Sequence, residues 1–178
     1  MFLIEITIGI LANSTALIAD SLDMLADASV YGIGIYAVGK SILHKAKAAQ
    51  ISGYFQLLLG VIILIDITRR LFLGSEPISS LMIGMGFIAL VANVACLMII
   101  RNHKNDEVHM RASWIFSAND VIANMGVIIA GVLVVWLDNR VPDLVIGCIM
   151  SIVVLRGAWM ILKDAKQEVQ KGKVGDPL

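Results

Sequence analysis

Ala19-Asp20-Ser21-Leu22-Asp23-Met24-Leu25-Ala26-Asp27 places three carboxylates inside an apolar segment that runs from about Thr15 to Val38. A segment of that length and apolarity reads as a membrane-spanning helix. At about 100° per residue, Asp23 lies roughly 60° from Asp20 and Asp27 roughly 20° from it, so all three share one face. Asp23 and Asp27 form an i, i+4 pair whose side chains reach a common ligand. Acids in a spanning helix with no Lys or Arg beside them carry a large desolvation cost. A cation that comes and goes explains them with the fewest assumptions.

The rest of the chain fits a membrane setting. Of 178 residues, 58% are hydrophobic and only 16% charged, and the mean hydropathy is +0.86. A soluble domain carries more charge and fewer long apolar runs. The formal net charge is zero, so no basic excess points to nucleic acid. Cys96 and Cys148 sit far apart in apolar runs and read as packing residues. No Ser/His/Asp set, Cys/His pair or nucleotide loop is visible, which argues against an enzyme.

Outward from the aspartate stretch, apolar runs and polar punctuation predict six helices. They cover Phe2 to Leu11, about Thr15 to Gly39, Ile51 to Leu71, Ile78 to Ile100, Arg111 to Leu137 and Asp143 to Leu162. Ala12-Asn13-Ser14 is a turn with an N-cap residue, and Gly74-Ser75-Glu76-Pro77 closes the third helix. Lys40, His44, Lys45 and Lys47 are assigned to a cationic loop. Residues 1–170 are expected to form one transmembrane domain, followed by a polar tail over 171–178. The first helix reaches only about half a bilayer core, and its N-terminal half is expected to be missing.

Ten Lys and Arg flank the second–third loop, the fourth–fifth loop and the C-terminus, against Arg69, Arg70 and Arg140 on the other side. The positive-inside rule puts both termini in the cytoplasm. Gly32, Gly34, Gly39, Gly84, Gly86, Gly126 and Gly131 are read as sites of close helix packing. Trp114, Trp136 and Trp159 read as interface anchors. Asp66, with Arg69 and Arg70 at i+3 and i+4, reads as an ordinary intrahelical ion pair.

A second constellation lies in the fifth helix, Phe116-Ser117-Ala118-Asn119-Asp120-Val121-Ile122-Ala123-Asn124. Asp120 is a lone acid, and Asn124 follows one turn on, about 40° round the helix. Two helices that each present oxygen ligands at this spacing can close around one divalent ion. Asn119 points about 100° from Asp120 and reads as an interhelical hydrogen bonder. Asp20 is open to three roles: exit-path ligand, proton acceptor or interhelical hydrogen bonder. His44, His103 and His109 all fall in loops. His109 is roughly 16 Å along a helix from Asp120 and cannot join it.

The run from Leu11 to Asp27 resembles the first–second helix signature of the cation diffusion facilitator family: a serine-bearing turn, a run ending in Ala-Asp, then His or Asp, three residues and Asp. Glu5 resembles the acid that the family's first helix often carries, and Asn93 an asparagine of its fourth. Asp120 resembles the acid of its fifth-helix His-x-x-x-Asp. The resemblance implies a six-helix all-α cation efflux bundle, a homodimer in the lipid bilayer, that exports a divalent metal by proton antiport. Asp23, Asp27 and Asp120 would then be transport-site ligands. Two features depart from the pattern. Phe116 stands where the family commonly has His, and the family's cytoplasmic domain after the sixth helix is expected to be absent.

The sequence therefore predicts a carrier, since plain bundle packing does not account for four membrane acids: zinc, cobalt, cadmium or manganese is its expected cargo, and no permanent cofactor is expected. The metal ligands are Asp23, Asp27, Asp120 and Asn124, with Asp20 as a further candidate. Metal and protons would compete for the same oxygens. The expected location is the cell inner membrane. Two alternatives stay open: a non-transporting partner subunit of a complete transporter, and a proton-coupled carrier of organic cations.

Overall fold

The computed structural model describes residues 1–37, 39, 41–101 and 108–174, with the backbone alone described at 37, 42, 108–113, 115, 116 and 170–174. All regular elements among them are helices: α1 (Phe2–Leu11), α2 (Thr15–Ala37), α3 (Ile42–Leu73), α4 (Ser79–Ile100), α5 (Val108–Leu137) and α6 (Val141–Val174). α3, α4, α5 and α6 are each long and apolar enough to cross a membrane. α2 has 23 residues, about 34 Å at 1.5 Å each, which also suffices. It stands apart because Asp20, Asp23 and Asp27 interrupt its apolar character.

The polarity of the bundle is that of a membrane protein. Glu5, Asp20, Ser21, Asn124, Asp143 and Ser151 are fully buried, whereas Phe72, Leu73, Ile99 and Trp136 are largely exposed. A protein in water buries the second set and exposes the first. Lipid reverses the outer preference, because apolar side chains face a solvent as apolar as themselves.

α3 packs chiefly on α6 and α4 on α5, and α2 joins the two pairs. One core cluster links α2 to α4 and α5 through Ala16, Leu17, Met82, Met85, Val127 and Ala130. The other links α2 to α3 and α6 through Ala19, Leu22, Leu59, Ile63, Met150 and Val154. Alanines on α2 let both pairs come close. Gly147 serves the same end on α6: a Cβ there would lie 2.6 Å from Thr15 Cγ2.

Several sequence expectations are corrected. α3 begins at Ile42, so His44, Lys45 and Lys47 belong to its first turns and not to a loop. Ala46, Ala48 and Ala49 favour helix, and the two lysines, with long stems, can stand off its surface. α6 continues to Val174, so residues 171–174 extend a helix, and 175–178 lie outside the described residues. Lys, Gln, Glu and Ala from Lys163 onward are good helix formers, and polarity alone misread them as a tail. Gly32, Gly34, Gly39 and Gly84 face open space. Gly86 and Gly131 do pack closely between α4 and α5, as expected, and further close approaches fall at Gly53 and Gly60 against Leu162 and Leu155.

Candidate metal-transport site

The site is built on α2, and α2 is held at its start by a residue far along the chain. Asp143 on α6 is fully buried. Its Oδ1 accepts from Ser14 Oγ at 2.6 Å and from the Ala16 amide at 3.0 Å, and its Oδ2 accepts from the Thr15 amide at 2.7 Å. Ser14 Oγ in turn accepts from the Leu17 amide at 3.2 Å. A helix start leaves its first amides without partners, and a carboxylate there also meets the positive end of the helix dipole.

The preceding turn is tied down as well. Arg70 donates to the carbonyl and the side-chain oxygen of Asn13, and to Asp66 Oδ2 at 2.6 Å. Arg69 donates to Asp66 Oδ1 at 2.9 Å. The Ile78 amide donates to the Ala12 carbonyl at 2.8 Å. The ion pair expected at Asp66 is present, but Arg70 also reaches across to the α1–α2 turn.

One turn into α2, Asp20 enters a buried polar chain. Asn124 Nδ2 donates to Asp20 Oδ2 at 2.5 Å, and Asn93 Nδ2 donates to Asn124 Oδ1 at 2.9 Å. The Glu5 carboxyl lies close to Asp20. Both Glu5 oxygens and Asp20 Oδ1 are buried without a hydrogen-bond partner. The structure thus brings Asn124 to Asp20, and Asn93 and Glu5 with it.

Asp23 and Asp27 follow on α2, half-buried, with Asp120 half-buried on α5. Asp23 and Asp120 both act electrostatically on Asp27, and Asp23 and Asp20 act on Asp120. The acids of the two helices therefore share one region. A cavity of about 180 Å³ opens beside Asp23, bordered by Asn119 of α5 and by Met150 and Val153 of α6. A larger one, about 480 Å³, opens beside Asp27 and is also bordered by Asn119.

Asn119 reads from sequence as an interhelical hydrogen bonder about 100° round the helix from Asp120. The structure puts it at the walls of both cavities. A signal existed in the run Ser117-Ala118-Asn119-Asp120, where Asn119 directly precedes the acid. Among the described residues no three acids, histidines or cysteines converge closely enough to enclose a metal ion. The acids gather in one region but stand open. The Phe116 and His109 side chains, and His103, lie outside the described residues; the His109 backbone belongs to the first turn of α5 and not to a loop.

Comparison with known proteins accords with this arrangement. The cation efflux transmembrane domain family matches residues 1–168. The zinc transporter ZitB of Yersinia pseudotuberculosis is 28% identical over 180 residues, covering 92% of this chain and 57% of that protein. ZitB of Escherichia coli K12 is 26% identical, covering 96% and 58%. A cadmium, cobalt and zinc/H(+)-K(+) antiporter of Bacillus velezensis is 25% identical, covering 98% and 60%. The chain spans under two thirds of the length of these relatives. With the family match running through all six helices, this chain belongs to the cation efflux family as an all-α integral membrane protein.

Proposed function

We propose that the chain exports a divalent transition metal, zinc, cobalt, cadmium or a similar ion, from the cytoplasm in exchange for protons. The observation that carries this reading is the gathering of Asp23, Asp27 and Asp120 on two neighbouring helices of a membrane bundle, with cavities beside Asp23 and Asp27. Asp23, Asp27 and Asp120 are the cargo ligands, and Asn124, the further ligand candidate, steadies the α2–α5 junction through Asp20 while its Oδ1 accepts from Asn93. Asp20 is the lower-ranked ligand candidate. The names of the relatives support zinc, cadmium and cobalt as the cargo class, and one of those names supports antiport.

The chemistry follows from shared oxygens. A divalent ion reaching the acids displaces protons held there. Approach of α2 and α5 then closes the open set around it, and opening on the other side lets protons replace the metal. Exchange is strict only if the two openings exclude each other. The proposed assembly is a homodimer in the inner membrane, with both chain ends cytoplasmic by the positive-inside rule. Residues 1–170 form the transport domain in this reading.

The test is metal flux into proteoliposomes holding the purified chain, with and without a proton gradient. Zinc flux that follows the gradient supports the reading. Flux that ignores it, with no proton release, means a uniporter. No flux with any divalent ion, while a co-reconstituted full-length relative is stimulated, means a partner subunit.

A further inference from the structure

Between α2, α3 and α6, on the side where α3 begins, two cavities adjoin. The inner one, about 480 Å³, is bordered by Asp27, Gln56, Arg156 and Asp164. The outer one, about 500 Å³, is bordered by Lys45, Ser52, Asp164 and Glu168. Val30, Ile161 and Asp164 border both. Together they connect Asp27 with the end of the bundle that the proposed orientation places in the cytoplasm.

Two side chains on this route are short of partners. Gln56 is 6% exposed and Ser52 3% exposed, yet Gln56 Oε1 and Ser52 Oγ have no hydrogen-bond partner. They are one turn apart on α3 and so share a face. Buried polar atoms of this kind persist where water or an ion supplies the missing contact. Gly157 on α6 leaves the room that Gln56 occupies: a Cβ there would lie 2.9 Å from Gln56 Nε2.

We propose that this passage is the hydrated route by which a divalent cation reaches Asp27, and that Ser52, Gln56 and Asp164 form a waiting site on it. Asp164 supplies the negative charge, and Ser52 Oγ and Gln56 Oε1 accept hydrogen bonds from the ion's own water shell. Arg156 and Lys45 border the same space and oppose a cation, which keeps the site weak. A transit site must bind well enough to admit an ion and weakly enough to release it. The inference rests on the metal-export reading, and its test separates the two.

The experiment uses the full chain in proteoliposomes, with Cys96 and Cys148 replaced by serine. Ser52→Cys is exposed to a positively charged, water-soluble thiol reagent, with Ala49→Cys on the same cavity as a second reporter. Modification of either cysteine, slowed by zinc, is the expected result. A folded protein in which both stay unmodified overturns the passage, and modification that zinc does not slow overturns the waiting site. In parallel, Gln56→Leu and Asp164→Asn are expected to raise the zinc concentration for half-maximal flux by about fivefold each, the size of one weak polar contact, with little change in maximal rate. Unchanged half-saturation in both overturns the waiting site. If the parent protein moves no metal, the export reading fails, and thiol modification with its zinc protection still decides the passage.

Discussion

Asp143 at the start of α6 and Ser14 at the start of α2 share a buried hydrogen bond of 2.6 Å across 129 positions of sequence. The same carboxylate also receives the Thr15 and Ala16 amides. It thereby sets where α2 begins relative to α6. Asp20, Asp23 and Asp27 follow on the same rigid helix, so their placement inherits that junction.

Replacing Asp143 with Ala removes these contacts and leaves two amides and a hydroxyl buried. The expected loss is about 1–3 kcal/mol of stability, in the range for a lost cap or an unsatisfied buried donor. Asp143→Asn should lose less, since the amide keeps one acceptor oxygen. Thermal unfolding of the detergent-solubilised proteins checks the order wild type, Asn, Ala.

Asp66→Ala leaves the Arg70 guanidinium, whose side chain is only 4% exposed, without its carboxylate partner. Charged hydrogen bonds of this kind are worth about 1.5–3 kcal/mol, and a loss of that order is expected. The double variant Asp66→Ala with Arg70→Leu should recover part of it, because no buried charge remains unpaired. Denaturation midpoints of the three proteins measure the recovery. A surface ion pair would show almost no effect.

Asp23→Ala, Asp27→Ala and Asp120→Ala should each abolish metal flux while the helical content and unfolding temperature stay near those of the parent. Asn119→Ala should weaken cargo binding by a smaller amount, since it removes one neutral oxygen from the cavity walls. Zinc flux and equilibrium zinc binding in detergent separate the two classes. Normal flux by Asp27→Ala would remove it from the ligand set.

Phe116 lies one turn before Asp120, about 40° round α5 by helix register. Phe116→His should add an imidazole to a set of oxygens, which favours zinc over manganese. An affinity ratio shifted by about tenfold, or 1.4 kcal/mol, is expected. Paired zinc and manganese titrations of parent and variant give the ratio. An unchanged ratio would place the Phe116 side chain away from the acids.

The aspartate spacing on α2 was legible because helical period is a local property. Asp20, Asp23 and Asp27 share a face in any helix, whatever surrounds it. Helix number, and the bounds of α1 and α4, followed from apolar runs meeting turn residues. Local reading failed at the start of α3 and the end of α6, where charged but helix-favouring residues looked like loop and tail. Polarity reports solvent, and a helix can leave the membrane without ending.

What the sequence alone determined is therefore the set of membrane acids, their faces and the all-helical class. Which of them meet was decided by tertiary packing. Asn124 went to Asp20, Asn119 came to the cavities beside Asp23 and Asp27, and Arg70 kept Asp66 and also reached across to Asn13. Asp143, an unremarked first-turn acid, became the cap of a different helix. The physical reason is that a buried polar group takes whichever partner the packed bundle brings within about 3 Å, and that distance depends on helix crossings that no local pattern encodes.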